Sequence, residues 1–267
     1  MVLYDLHCHS KLSLCAARDS EISEFIRCAE EDGLVCVGIS DHAWDKGVGR
    51  PIEFYRDQPY EKLLERERLH TNSTKLFLGA EGEYAQGLLG VRRSTIEKLD
   101  YIIIPHSHIH MNGFVLPEGV KDDHAVGRHL FNSFVSLLHH PDSDRFFGVA
   151  HPFWPCGRKR DQVNEILKTI SDEEFIYCGK LAKEKGVFLE VNMSCVCANP
   201  IDSFEESEYC RFFRLAKKGG AEFFIGSDNH SPKCGKDNCI NRLPEYASIL
   251  GFDDGDFKTA LSRILRA

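Results

Sequence analysis

Residues 3–9 of the chain read Leu-Tyr-Asp-Leu-His-Cys-His, a short run rich in apolar residues that ends in two histidines one residue apart. Six further short apolar runs follow along the chain, and polar residues follow each of them. Nearly continuous apolar runs of this length are typical of strands that are covered on both faces, as in parallel sheets. The seven predicted strands are Leu3–Cys8, Val35–Ser40, Leu76–Ala80, Tyr101–Pro105, Phe146–Ala150, Val187–Val191 and Phe223–Gly226.

Amphipathic stretches with helical spacing lie between these strands, and Gly33, Gly186 and the pair 219–220 stand where helix ends favour glycine. The alternation predicts an α/β fold with a parallel sheet, either a barrel or an open doubly wound sheet. Residues 43–59 are predicted to form a long loop. No linker composition or fixed-period repeat divides the chain, so residues 1–267 are expected to form a single domain. The predicted helices are Glu21–Asp32, Tyr60–His70, Ser94–Leu99, His124–His139, Glu173–Lys185, Glu206–Lys218, Arg242–Leu250 and Asp256–Leu265.

Composition narrows the class of protein. Hydrophobic residues make up 42% and charged residues 28% of the 267 residues, which excludes a disordered or fibrous chain. With 33 basic and 41 acidic residues the net charge is −8, whereas nucleic-acid binding needs a basic surface. No apolar run is long enough for a membrane span, and the first residues do not read as a signal peptide. The 11 scattered cysteines are therefore expected to be reduced thiols, and the protein to be cytoplasmic.

Every predicted strand delivers, at its carboxyl end, a side chain that can bind a metal or carry a proton. In parallel α/β folds these ends lie on one face, where sites are built. Residues i and i+2 of a strand point the same way, so His7 and His9 can hold one ion together. Imidazole suits Zn, Fe or Mn, and carboxylates can bridge two cations. The residues are His7, His9, Asp41, His42, Glu81, Glu83, His106, His108, His151, Glu190, Asn192, Asp228 and His230.

The ordered set of motifs from residue 3 to about residue 232 resembles the PHP (polymerase and histidinol phosphatase) superfamily. The resemblance implies a distorted (β/α)7 TIM-like barrel, with a metal centre at the carboxyl ends of the strands, that hydrolyses phosphoesters. The seven predicted strands agree with it independently. The motifs are DLHCHS at 5–10, GISDH at 38–42, GAE at 79–81, DYIIIPHSH at 100–108, AHP at 150–152 and GSDNHSP at 226–232.

The resemblance also implies two or three divalent ions, Zn, Mn or Fe, and a role for each ligand. The first ion is assigned to His7, His9, Glu81 and Asp228. Glu81 bridges to a second ion, which His106 and His151 complete. The third ion is assigned to His42 and His230, with Cys15 standing where trinuclear members have histidine. We prefer His106 to His108 as the ligand, and we expect His108 either to support a metal ligand through a hydrogen bond or to contact the substrate.

Hydrolysis of a phosphomonoester by a metal-bridging hydroxide follows from this assignment. Glu81 and Asp228 hold the ions, and His42, His230 or the third ion serves the leaving group. The basic run Arg158, Lys159 and Arg160 either binds the phosphate or is a solvated surface run. The expected partner is a small-molecule phosphate ester, such as histidinol phosphate, with no nucleic acid and no membrane. The oligomeric state is left open.

Two alternatives come from other classes. Metal-dependent amidohydrolases share an HxH motif at the first strand of a barrel, although a carboxylated lysine often bridges their metals. A non-catalytic, metal-binding regulatory module is the second alternative, but the ligand set is nearly complete for an enzyme.

A further hypothesis concerns the cysteines after the sixth and seventh strands. Cys195, Cys197, Cys234 and Cys239, with Cys156 in reserve, could bind a structural Zn²⁺ between two loops. The alternative is that these residues are unligated thiols in adjacent loops.

Overall fold

A computed structural model of the chain describes residues 1–267, except for the side chain of Tyr60. The fold is α/β, with parallel strands and helices that alternate along the chain. All seven predicted strands are present, and the third is interrupted at Gly79. The strands are β1 Asp5–Cys8, β2 Cys36–Ile39, β3 Lys75–Leu78, β4 Ala80–Glu81, β5 Tyr84–Ala85, β6 Leu88–Leu89, β7 Ile102–Pro105, β8 Gly148–Ala150, β9 Phe188–Asn192 and β10 Phe223–Gly226.

The main helices agree with the predicted ones to within two residues at most ends, but three differences stand out. The helix predicted from residue 60 ends at Leu64 instead of residue 70. The predicted loop at 43–59 contains a short helix. The helix at residues 160–168 was not predicted. The helices are α1 Ile22–Glu31, α2 Glu53–Asp57, α3 Tyr60–Leu64, α4 Arg93–Ile96, α5 Asp123–Leu138, α6 Arg160–Lys168, α7 Asp172–Lys185, α8 Met193–Cys197, α9 Ile201–Phe204, α10 Glu208–Lys218, α11 Leu243–Leu250 and α12 Asp254–Ile264.

The parallel strands form two sheets, in the orders β1-β2-β3 and β10-β9-β8-β7-β4, and β5 and β6 form a separate antiparallel hairpin. At one junction the sheets are joined through Gly79, where β3 leads directly into β4. At the other junction the end of β1 pairs with the segment after β10: Asp228 N–H donates to the His7 carbonyl (2.7 Å), and His9 N–H to that of Asn229 (2.9 Å). The carboxyl ends of both sheets therefore face one region.

Tyr101 fills the space between the first strands, directly below the strand ends. It is buried, and its hydroxyl donates to the Leu6 carbonyl at 2.8 Å. A Cβ atom at Gly38 or Gly79 would collide with the Tyr101 side chain. The two glycines of the GISDH and GAE motifs therefore make room for a tyrosine that packs under the strand ends.

The expectation that all thiols are reduced is wrong at one pair. Cys28 on α1 forms a disulfide with Cys234, which lies 206 residues later in the loop after β10. The Asp32 side chain holds the same loop, because it accepts from Gly235 N–H at 2.7 Å and from the Asn238 amide at 2.8 Å. No sequence spacing links the first helix to this loop, so the pairing depends on how the two segments pack in the fold.

Among the described residues, every helix is too short or too polar to cross a bilayer.

We predict that the disulfide stabilises the fold. A cross-link that closes a loop of this length limits the unfolded chain, so Cys28→Ala with Cys234→Ala is expected to lower the free energy of unfolding by about 2–4 kcal/mol. Denaturant unfolding with and without reductant measures this effect, and peptide mapping under non-reducing conditions detects the bond. The double variant is its own control because its stability is expected not to respond to reductant. A wild-type protein whose stability is also indifferent to reductant would contradict the prediction.

Candidate metal centre

The strand-end residues surround a cavity of about 680 Å³ at the carboxyl ends of the sheets. One side of the cavity is polar and contains histidines and carboxylates, and the other is apolar. Its volume is that of a pocket for a small molecule. The lining residues are Cys15, His42, Ile52, Phe54, Glu81, His108, His110, Met111, Asn112, Cys156, Asp228 and His230.

Three groups of side chains can each hold a metal ion, because within each group the potential ligand atoms lie within 4.8 Å of one another. The groups adjoin one another, since His9 belongs to two of them and Glu81 also contacts His42 and His151. Their composition of imidazole, carboxylate and thiol suits zinc and similar ions. The groups are His7, His9 and Glu81; His9, Cys15, His42 and His230; and His108, His151 and Cys156.

Two of the histidines have their Nδ1 proton engaged away from the cavity. His7 Nδ1–H donates to Glu190 Oε1 at 2.8 Å. Ser107 Oγ donates to the His151 carbonyl (3.0 Å) and therefore accepts from His151 Nδ1–H (2.7 Å). A neutral imidazole that donates through Nδ1 presents a lone pair on Nε2. The Nε2 atoms of His7 and His151 are consequently acceptors or metal ligands.

His9 and His108 follow the same arrangement. Ser13 Oγ donates to Asp41 Oδ1 at 2.9 Å and accepts from His9 Nδ1–H at 3.2 Å. His108 Nδ1–H donates to Glu83 Oε2 at 2.7 Å. Partners of this kind on the outer ring nitrogen are the usual means by which proteins orient metal-binding histidines.

The freed Nε2 atoms face one another and two carboxylates. His7 Nε2 lies 3.0 Å from His9 Nε2, and His9 Nε2 lies 3.2 Å from Asp228 Oδ1. His151 Nε2 lies 2.9 Å from Glu81 Oε1. Lone pairs and anionic oxygens at these separations repel unless a cation lies between them. The residues present therefore fit a metal centre.

The electrostatics of the site agree with this reading. Burial by itself lowers the pKa of His7, but the carboxylates of Glu190 and Asp228 raise that pKa well above its ordinary value. Burial opposes ionisation of Asp228, yet the neighbouring imidazoles of His7 and His9 hold its pKa below the usual range. The cluster thus favours positive charge at its centre, which either protons or metal ions can supply.

Of the two histidines that follow β7, His108 lines the cavity and belongs to a group of potential ligands, whereas the preferred His106 does neither. His106 is buried between the rings of Phe134 and Phe153, and its Nε2 accepts from Phe153 N–H at 3.2 Å. His108 faces the cavity, with Nε2 3.7 Å from Glu81 Oε1. Strand β7 ends at Pro105, so the alternation of side chains no longer holds beyond it. Burial lowers the pKa of His106 to about 3, as for an imidazole kept neutral in an apolar site.

Cys15 lies beside the imidazoles of His9, His42 and His230, where the third ion was expected. His42 Nδ1 is buried 3.0 Å from Glu81 Oε2, outside hydrogen-bonding geometry. Cys15 is exposed at the cavity, and partial desolvation together with the nearby carboxylates of Glu81 and Asp228 raises the pKa of its thiol to about 12. Ligation would therefore require the ion to displace the thiol proton.

The backbone is in an uncommon conformation at two of the candidate ligands. His151 and Asp228 have φ angles of 28° and 60°, in the region that favours glycine. Residues held there by surrounding structure cluster at functional sites. Gly226, two residues before Asp228, is required for a different reason, because a Cβ atom there would collide with the Glu190 carboxylate.

Glu190 and Glu83 are the residues that the sequence alone left without a role. Glu190 is fully buried and holds both His7, through Oε1, and the backbone N–H of His151, through Oε2. Glu83 accepts from His108 and also from the Tyr55 hydroxyl at 2.8 Å. The sequence did offer one indication of their role, because each is a carboxylate within or just after a strand that is predicted to be buried. Burying a carboxylate is unfavourable unless it has a partner.

The basic run expected to bind phosphate lies outside this cavity. Arg158 is half-buried and lines an adjoining cavity, whereas Lys159 and Arg160 are exposed at the start of α6. Gly157, which precedes this run, has a φ of 85°, and a Cβ atom there would collide with the His110 side chain.

The hypothesis of a zinc site between two loops is wrong. Cys234 is engaged in the disulfide with Cys28. Among the described residues, no group of potential metal ligands includes Cys195, Cys197 or Cys239. These three form no disulfide, and Cys156 lies with His108 and His151.

Neither the protein-family models nor the curated proteins compared with the chain match it. Solved structures do match. Histidinol phosphate phosphatase from Lactococcus lactis subsp. lactis, solved in complex with zinc, L-histidinol and phosphate, aligns over 94% of both chains with a TM-score of 0.61 and 14% identity. A putative histidinol phosphatase from Listeria monocytogenes aligns over 85% of this chain and 95% of its own, with a TM-score of 0.59 and 14% identity.

The chain therefore has the fold of the histidinol phosphate phosphatases. This finding confirms, for the fold, the resemblance to the polymerase and histidinol phosphatase superfamily.

We predict that His108, not His106, holds a metal ion. His108→Ala is expected to lower the metal content by about one ion per folded chain, because it removes a ligand. His106→Ala is expected to keep the metal content but to lower the free energy of unfolding by about 1–3 kcal/mol, because it leaves a cavity. Elemental analysis and thermal unfolding of both variants test this prediction. Loss of an ion from His106→Ala alone would contradict it.

We also predict that Cys15 completes a third metal site. Cys15→Ala is expected to lower the metal content by about one ion, and Cys15→His to restore it, because imidazole can replace thiolate as a ligand. Cys197→Ala removes one thiol away from the cavity and is the control. Unchanged metal content in Cys15→Ala would show that the thiol does not bind metal.

Proposed function

We propose that this protein is a metal-dependent phosphatase that hydrolyses a phosphomonoester of a small molecule. The observation that carries the proposal is the orientation of His7, His9, His108 and His151, whose Nε2 atoms all turn toward the Glu81 and Asp228 carboxylates. We further propose that residues 1–267 form one domain and that the seven strands, with β3 and β4 counted as one, form a distorted barrel. The hydrogen bonds between the end of β1 and the segment after β10 support this closure.

The Lactococcus lactis enzyme, which shares this fold, was solved with zinc, L-histidinol and phosphate. An alcohol and phosphate are the two products that a phosphomonoesterase releases. We carry that reaction class to the present chain because its candidate centre offers ligands for the same kind of ion.

We assign two ions to the deepest residues of the site. His7, His9 and Asp228 would hold the first ion, and His108 and His151 the second, with Glu81 between them. Bound divalent cations lower the pKa of a coordinated water and neutralise charge on the phosphoryl oxygens. The protein's own contribution is to orient the four imidazoles through Glu190, Ser13, Glu83 and Ser107.

In a centre with two ions the leaving alkoxide needs a proton, and His230 is the best placed donor. A third ion bound at Cys15, His42 and His230 would stabilise the alkoxide in place of that proton. Its side chain is 39% exposed at the cavity, whereas that of His42 is only 7% exposed and lies against Glu81. His230 Nδ1–H donates to the Asp228 carbonyl at 2.9 Å, which leaves Nε2 to exchange a proton. Zn, Mn or Fe suits this set of ligands.

We predict that the metal-loaded protein hydrolyses p-nitrophenyl phosphate but neither a dipeptide nor a cyclic amide. Glu81→Ala is expected to abolish nearly all turnover and to lower the metal content, because it removes the carboxylate shared by the two sites. Lys236→Gln, an exposed residue outside the cavity, is the control. Chelation followed by return of Zn²⁺, Mn²⁺ or Fe²⁺ identifies the ions that support turnover.

Two outcomes would contradict the proposal. Hydrolysis of an amide without release of phosphate would favour the amidohydrolase alternative. Full turnover by Glu81→Ala with its metal retained would show that Glu81 does not bridge the ions.

A further inference from the structure

A second cavity of about 300 Å³ adjoins the metal-site cavity, and His110, Asn112 and Cys156 line both. The shared residues place the second cavity beside the first, within reach of the remote end of a small molecule bound at the metal ligands. The other residues that line the second cavity are apolar or basic. The lining residues it does not share are Ile109, Leu116, Val120, Lys121, Gly157 and Arg158.

Two cations and no carboxylate line the second cavity. The cations are the side chains of Lys121 and Arg158. Among the described side chains, neither cation has an ion-pair or hydrogen-bond partner. Asp122, which follows Lys121 in the chain, caps α5, because its side chain accepts from Ala125 N–H at 2.9 Å.

The metal-site cavity has the opposite character. It is lined by Glu81 and Asp228 but by no lysine or arginine, so positive charge for the scissile phosphate would come from bound ions. The metal-site cavity would therefore bind an anion through its ions, and the second cavity through its cationic side chains. Arg158 and Lys121 are positioned for a group other than the phosphate that is cleaved.

We propose that Lys121 and Arg158 bind a second oxyanion, a carboxylate or another phosphate, on the alcohol portion of the substrate. The inference rests on the proposed phosphatase function and names its substrate class. Arginine offers paired donors that match a carboxylate or phosphate, and lysine adds a compact charge. The site thus disfavours an alcohol that carries a cationic amine, such as histidinol.

Three substrates that differ only in one remote group test this proposal with the metal-loaded protein. They are phenyl phosphate, 4-carboxyphenyl phosphate and 4-(aminomethyl)phenyl phosphate, and the bisphosphate of hydroquinone tests a second phosphate. The expected order of kcat/KM is anionic, then neutral, then cationic. Because the leaving groups differ in reactivity, the measurement is the change in these ratios between wild type and variants.

Arg158→Gln together with Lys121→Gln is expected to reduce the preference for the anionic over the neutral substrate by about tenfold to a hundredfold, mainly through KM. Lys236→Gln removes one exposed charge away from both cavities and is the matched control. Equal losses on the neutral and anionic substrates would overturn the proposal, because they would place the two cations on the cleaved phosphate. A wild-type protein that prefers the cationic substrate would also overturn it.

A binding measurement separates failure of this inference from failure of the proposed function. Calorimetric titration compares benzylphosphonate with 4-carboxybenzylphosphonate, which cannot be hydrolysed as phosphate esters. Tighter binding of the carboxylated compound, lost in the double variant, supports the second site even if no ester is turned over. Equal affinities would overturn it even if all esters are hydrolysed.

Discussion

The arrangement on which the candidate site depends is the commitment of each Nδ1 proton to a partner in the protein framework. Glu190 and Ser107 accept hydrogen bonds from the Nδ1–H groups of His7 and His151. Ser13 and Glu83 accept from those of His9 and His108. Once these protons are engaged, the Nε2 lone pairs converge and need a cation between them. The cost of burying imidazoles and carboxylates together is thereby offset only by a positive charge at the centre.

Buried side chains beneath the site hold the strand ends that carry the candidate ligands. Asp41, near the end of the second strand, accepts from Ser10 and Ser13 and pairs with buried Arg66 at 3.0 Å. Arg66 also donates to the Ile39 and Gly79 carbonyls, so it joins β2 to the junction between the two sheets. A buried pair of this kind is weak evidence for stability, but removing one partner would leave an uncompensated charge under the site. Its role is to hold the first two strand ends, and the ligands on them, in register.

Apolar side chains form one wall of the cavity. Ile52, Phe54 and Met111 line it opposite the metal ligands. They pack against Trp44, Tyr55 and Phe114, which form a small core separate from the main one. This wall is built by loops and the short helix α2 rather than by the strands. Loop residues thus form the apolar wall of the cavity, while strand ends present the candidate metal ligands, a division common in parallel α/β folds.

The sequence predicted the positions of the strands along the chain and the chemical types of the candidate ligands. Both could be predicted because they depend only on residues that are close together in the sequence. Apolar runs define parallel strands, and histidines and carboxylates at their ends are adjacent in the chain to the runs that position them. The choice between His106 and His108 required the structure, because β7 ends at Pro105 and the backbone then leaves the extended geometry that sets side-chain direction. The pairing of Cys28 with Cys234 and the placement of Arg158 in the second cavity also depended on contacts between distant segments. Such contacts have no spacing rule, because they arise only when the packed sheets and helices bring the loops together.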